Sequence, residues 1–178
     1  VSPFAHCPSC RTPSPTFTHG KRLHCEQCGF EFFQNTAAAV GALIRSGERI
    51  LFLRRAREPG YGLLDVPGGF VDPGETLEEA LRRECLEEIG EEPVHLTYFC
   101  SLSNTYLYAG VEYTTADAFF FAELDRPIDN DDLLRLKIDR SEVLSLHLLH
   151  IAEIRSEDLA FPSLQKLHEK LMVGSLSA

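Results

Sequence analysis

PGGFVDPGETLEEALRRECLEEIGEE, residues 67–92, changes character halfway along. Its first part, Pro67-Gly68-Gly69 through Pro73-Gly74, cannot be a regular element, because prolines and glycines at this density force turns and allow close backbone approach. From Glu75 onward, Leu77, Ala80, Leu81, Cys85 and Ile89 recur with helical period, which predicts a helix over Leu77–Ile89 with one apolar stripe. On that helix Glu84 and Glu87 are three residues apart and Glu84 and Glu88 four, so three carboxylates share one side. Each such like-charge pair costs roughly 0.2–0.5 kcal/mol. Either the face is simply solvated, the common fate of an acidic run, or a cation binds there.

Working outward, AAAVGALIR (37–45), a turn at Ser46-Gly47-Glu48 and RILFLRR (49–55) read as a β-hairpin. Further strand patterns cover Val94–Leu102, Tyr113–Glu123 and Val143–Leu149, and a second helical pattern covers Ser163–Met172. The polar stretch Asp125–Arg140 reads as a loop with a short helical turn. The expectation is an α/β fold, a mixed sheet flanked by helices.

The N-terminal segment is written differently. Cys7-Pro-Ser-Cys10 and Cys25-Glu-Gln-Cys28 are two C-x2-C knuckles separated by 14 residues, a spacing that can deliver four thiolates to one tetrahedral Zn²⁺. Two disulfides or four unrelated thiols are the alternative, disfavoured by the cytoplasmic location expected below. A turn at His19-Gly20 between short strand-like stretches completes the pattern of a zinc ribbon over residues 1–34. So short a piece depends on its metal to fold. Residues 35–178 then form the second domain. Cys85 and Cys100 are outside the knuckles and read as buried thiols.

At 178 residues, with a net charge of −10, the chain has the length for one ordinary domain plus a small appendage. That charge argues against a general nucleic-acid binder, which needs clustered Lys and Arg. No apolar run approaches the roughly 18–20 residues of a membrane span, and VSPFAHCPSC lacks the regions of a signal peptide, so a cytoplasmic protein is expected.

Gly69, Glu75, Arg83, Glu84, Glu87, Glu88 and Gly90 reproduce the pattern G-x5-E-x7-R-E-U-x-E-E-x-G-U, with U apolar, over 23 positions; Cys85 serves as the first U, and Glu91 departs from the second. The sequence therefore resembles the Nudix hydrolase family. The resemblance implies an α/β/α sandwich whose loop-helix-loop binds Mg²⁺ or Mn²⁺ and hydrolyses a nucleoside diphosphate linked to another group. Carried over by position, Glu87 and Glu88 are metal ligands, Glu84 is a ligand or the base, and Arg83 orients the carboxylates, pairing with Glu75. Gly68 and Gly69 of the glycine loop are expected beside the substrate. Arg54, at the end of the second hairpin strand, is the candidate phosphate contact, with Arg57 on the surface. Family members use a further carboxylate of variable position. Glu112 is ranked first here, before Asp117, Glu123 and Glu142. Tyr106, with Tyr61 and Tyr108, is a candidate for stacking a nucleobase.

A zinc ribbon directly before such a domain is similar to NADH pyrophosphatases, which follow the box with S-Q-P-W-P-F-P-x-S. This chain has no Trp and reads SLSNTYLYAGVEYTT (101–115) in that region. The favoured substrate is therefore an ADP-ribose-like nucleoside diphosphate derivative, with NADH as the alternative. A noncatalytic nucleotide-sensing protein is the alternative of another class, and by analogy a homodimer is expected.

Overall fold

A computed structural model describes residues 4–108 and 110–175. The chain divides into two compact units, Val1–Thr36 and Ala37–Ala178. In the small unit, strands β1 (Thr16–Thr18), β2 (Arg22–His24) and β3 (Glu31–Phe33) form an antiparallel sheet in that order. His19 and Gly20 link β1 to β2 with φ of 53° and 68°, the left-handed backbone that a two-residue hairpin turn requires. Leu23, Cys7 and Cys25 are its buried apolar side chains, while Phe32 and Phe33 stay exposed. So small a core leaves cross-linking to another agent.

The large unit is built on one mixed sheet. Its strands are β4 (Ala37–Ser46), β5 (Arg49–Arg55), the short β6 (Leu64–Asp65) and β7 (Gly68–Phe70), then β8 (His95–Tyr108), β9 (Val111–Glu123) and β10 (Val143–His150). The order is β10-β5-β4-β9-β8, with β6 against β5 and β7 against β4. Only β4 and β9 run parallel among these pairings. Strand β4 changes neighbour along its length: Ala39–Gly41 pair with β7, and Arg45 and Ser46 pair with β5.

Side chains alternate across the sheet as a two-residue period demands. Val40, Ala42 and Ile44 of β4, Leu51 of β5 and Ala118, Phe120 and Ala122 of β9 pack with Ala80, Leu81, Cys85 and Ile89 of helix α1 (Leu77–Ile89). The intervening Leu43, Ile50, Phe52 and Phe119 pack with Leu164 and Leu167 of helix α3 (Pro162–Ser175). The result is the expected α/β/α sandwich. A single helical turn, α2 (Asn130–Leu133), interrupts the polar 125–140 segment. Among the described residues no helix is long and apolar enough to cross a membrane.

Strand β8 outruns its expected end at Leu102 by six residues, to Tyr108. The extension holds polar side chains, including buried Asn104, so the apolar signal stops while the backbone ladder with β9 continues to Tyr108–Val111.

Candidate active site

Helix α1 starts and stops where its sequence dictates. Thr76 caps it with its hydroxyl on the Glu79 N–H, and Glu79 reaches back to the Thr76 N–H, a reciprocal capping box. Gly90 ends the helix at φ 73°. A Cβ there would lie 2.9 Å from the Lys137 carbonyl, and the Asp139 N–H donates to the Glu88 carbonyl at 3.2 Å. The helix end is thus held by the 137–139 segment, which makes the exposed Glu91 at the apolar position of the pattern tolerable.

The three carboxylates differ sharply in environment. Glu88 is 7% exposed and accepts from the Gly68 N–H at 2.9 Å. Burial pushes its pKa up to about 8 against that hydrogen bond, helped by the negative charges of Asp65 and Glu84. Burial also raises Glu84, overcoming the Arg83 guanidinium bonded to it at 2.8 Å. Glu87 is the open member, with a side chain 59% exposed and 3.4 Å from Arg83.

Arg83 binds both oxygens of Glu75, at 2.8 and 3.0 Å, and donates to the Phe70 carbonyl at 3.0 Å. It thereby ties the helix to the glycine loop and orients Glu84; the same contact with Arg83 holds Glu75 below its usual range. The glycines have steric reasons. A Cβ on Gly69 would sit 2.5 Å from a Glu84 carboxylate oxygen, and one on Gly68, at φ 155°, would sit 2.1 Å from the Val40 carbonyl.

Glu84, Glu87, Glu88, Gly68 and Gly69 line one cleft of about 450 Å³, and Tyr106, Asp117 and Arg55 line it as well. Its lining holds eight acidic side chains and two arginines. So acidic a cleft, with one carboxylate buried and partnered by a single N–H, fits a bound cation and repels a bare anionic ligand. Hard oxygen donors at this density suit a divalent ion.

Two expected residues lie elsewhere. Arg54 turns from the cleft and donates to the Gly62 carbonyl at 2.7 Å. Its neighbour Arg55 is the strand cation that lines the cleft, paired with Asp65 at 2.7 Å, bonded to the Pro59 carbonyl and set over the Phe161 ring at 4.8 Å. Alternation along β5 requires that one arginine face each way and does not say which. Glu112 is exposed beside the β8–β9 turn, opposite Leu107 and outside the cleft.

Of the lower-ranked carboxylates, Asp117 is buried in the cleft and accepts from the Thr115 hydroxyl, and Glu142 reaches it paired with Arg57. Arg57 is exposed, as expected, and lies at the rim of the cleft. Glu123 pairs with Arg45 away from the cleft. Tyr61 is 58% exposed and outside it. The Tyr108 side chain lies outside the described residues. Asp65 was not anticipated, although a carboxylate within the apolar run Leu63-Leu64-Asp65-Val66 is a signal, since burying one is costly without a partner.

In the small unit the ligand atoms of Cys7, Cys10, Cys25 and Cys28 all lie within 4.8 Å of one another. The Cys7–Cys28 and Cys10–Cys25 sulfurs are 3.7 and 3.5 Å apart, too far for a disulfide at about 2.05 Å. They are close to the edge of a tetrahedron with metal–sulfur bonds of about 2.3 Å. The knuckles share one geometry: the N–H of Arg11 bonds to the Cys7 carbonyl and that of Gly29 to the Cys25 carbonyl, with φ of 63° and 73°. These thiols can hold a metal ion.

Comparison with known proteins agrees with this construction. A NAD-capped RNA hydrolase NudC of Chromobacterium violaceum is 36% identical over 99 residues, covering 54% of this chain and 36% of that one. An ADP-ribose pyrophosphatase of Methanocaldococcus jannaschii is 41% identical over 61 residues, covering 34% of this chain and 36% of that one. The chain matches about a third of the length of these curated relatives. The crystal structure of a NUDIX hydrolase from Nitrosomonas europaea superposes with a TM-score of 0.64 at 24% identity, covering 96% of this chain and 94% of that one. The family model described as NUDIX domain matches residues 35–171. With the sandwich, the capped acidic helix and the glycine strand against it, this chain belongs to the NUDIX domain family.

Proposed function

We propose that this chain is a Mg²⁺- or Mn²⁺-dependent hydrolase of the diphosphate bridge in a nucleoside diphosphate derivative, releasing a nucleoside monophosphate and a phosphorylated product. The carrying observation is the convergence of Glu84, Glu87 and Glu88 in a cleft whose acidic excess demands a cation. Those three side chains would hold the ion, with buried Asp117 as the further carboxylate in place of Glu112. When bound, a divalent ion offsets phosphoryl charge and lowers the pKa of water.

The chain's own groups do the rest. Glu84, held beside Arg83 in the cleft, is the carboxylate in reach to take a proton from the attacking water. The water oxygen joins one phosphorus as the bridging oxygen departs with the other, in line. Arg83 is a positioning residue that holds Glu84 toward the cleft. Gly69, lacking a side chain, leaves room for that carboxylate. Arg57, at the cleft rim, offers positive charge to the substrate's phosphates, and the four cysteines hold a structural Zn²⁺ that substitutes for a core in residues 1–34.

ADP-ribose-like substrates are preferred in this reading, supported by the similarity to an ADP-ribose pyrophosphatase and the missing tryptophan stretch. NADH is the second reading, favoured by the cysteine knuckles and by relatives named NAD-capped RNA hydrolase. Turnover of ADP-ribose, NADH, nucleotide sugars, dinucleoside polyphosphates and NTPs, with Mg²⁺ or Mn²⁺, tests the proposal. The expected result is cleavage of a diphosphate bridge, abolished in Glu87→Gln and Glu88→Gln. Tight nucleotide binding without turnover would replace it with a sensing function.

A further inference from the structure

The part of the cleft wall that helix α3 supplies has no role in the hydrolytic reading. Ser163, in the first turn of α3, lines the cleft and is 1% exposed, and its hydroxyl has no hydrogen-bond partner. A buried hydroxyl without a partner costs about 1–3 kcal/mol, so its presence calls for a reason. The turn around it points the same way. Pro162 has no N–H, and the Gln165 N–H bonds to the Phe161 carbonyl at 3.1 Å. The amides of Ser163 and Leu164 fall in the positions that helix geometry leaves without intrahelical acceptors. A buried hydroxyl and the positive end of a 14-residue helix therefore lie together at this wall.

The surroundings decide which ligand group belongs there. Tyr106 and Phe161 are 5.6 Å apart between ring centroids, and Leu164 and Phe119 line the same cleft. The cation over the Phe161 ring, Arg55, is already committed to Asp65 and the Pro59 carbonyl. A phosphate dianion would lose its hydration to apolar walls with little compensation. A planar heterocycle stacks favourably on aromatic rings and brings ring-nitrogen or carbonyl acceptors at its edge.

We infer that Ser163 and the first turn of α3, walled by Tyr106 and Phe161, form a specificity subsite for the planar base of the substrate. The Ser163 O–H donates to an acceptor on the base edge, and its oxygen can accept from an exocyclic amine. The identity of the bound moiety as a nucleotide's base rests on the diphosphate-hydrolase reading, and the geometry of the subsite does not.

Calorimetric titration of wild type and Ser163→Ala with AMP, GMP, CMP, UMP and base-free ribose 5-phosphate, in Mg²⁺, tests it. Wild type is expected to bind at least one nucleotide about tenfold or more tightly than ribose 5-phosphate. Ser163→Ala is expected to lose about tenfold of that preference, the worth of one hydrogen bond at a buried site, with ribose 5-phosphate binding unchanged. Its melting temperature is expected to hold or rise, because the hydroxyl satisfies nothing in the protein. Equal binding of all five probes by wild type, equal weakening of all five in the variant, or a marked fall in melting temperature would each overturn the inference. Base-dependent binding lost in Ser163→Ala, in a protein that turns over no diphosphate, would sink the hydrolase reading and leave the subsite standing.

Discussion

Glu88→Gln separates what the folded protein spends on this carboxylate from what it gains. Burial raises the Glu88 pKa from 4.5 to about 8, so between those values the native state binds a proton that the unfolded chain has released. Stability then falls as pH rises through this window and levels off above it. At pH 7, about 2.5 pH units above the unfolded value, keeping Glu88 in place costs ~3 kcal/mol at 1.36 kcal/mol per unit, an order-of-magnitude figure. Gln removes that cost, and its oxygen can still accept from the Gly68 N–H, but its amide protons lack partners, a penalty of about 1–3 kcal/mol.

Without divalent ions the variant should therefore be at least as stable as wild type at pH 7, by up to about 2 kcal/mol, or up to roughly 8 °C for a domain of this size. At pH 5, where the proton linkage is worth less than about 1 kcal/mol, the advantage should vanish or reverse. Adding Mg²⁺ or Mn²⁺ should raise the wild-type melting temperature and do much less for the variant. Calorimetric scans at pH 5, 6, 7 and 8, with and without Mn²⁺, make the comparison. A variant less stable than wild type at every pH, and equally stabilised by Mn²⁺, would refute the reasoning.

Elemental analysis should find about one Zn per chain, the stoichiometry of a four-thiolate site, and Cys25→Ser should lose it. Glu75→Gln should lower the melting temperature more than it lowers turnover, because Glu75 anchors Arg83 through two hydrogen bonds. Glu75 has a depressed folded pKa, so its stabilisation is present above the unfolded value and is lost as pH falls through the folded one. The variant's deficit in thermal scans should shrink accordingly in acid. Gly69→Ala should keep the fold and lose at least about tenfold in kcat, since its Cβ would collide with the Glu84 carboxylate and small misplacements of catalytic groups are costly.

Helix α1 was legible because its apolar period runs unbroken over Leu77–Ile89, and the Thr76–Glu79 cap and Gly90 seen in the structure agree with it. The β4–β5 hairpin was legible for a similar reason, with its turn glycine and continuous apolar strands. Legibility failed where the cleft sets the residue choice instead of the core. The polar end of β8 follows the ladder with β9 without an apolar rhythm. Arg54 and Arg55 both satisfy alternation, and only the packed sheet shows that Arg55 meets Asp65. Asp117 and Glu112 both lie on β9; burial divides them, and nothing in the strand's local pattern reports it. Ser163 has no sequence signal at all, since a serine in a first helical turn is ordinary.

Chromatography and mass analysis of the products of ADP-ribose, turned over in ¹⁸O-water with Mg²⁺, test the proposed chemistry most directly. Attack of water on one phosphorus of the bridge gives AMP and ribose 5-phosphate, with one ¹⁸O in one of the two and no inorganic phosphate. Inorganic phosphate, or unlabelled monophosphates, would contradict it.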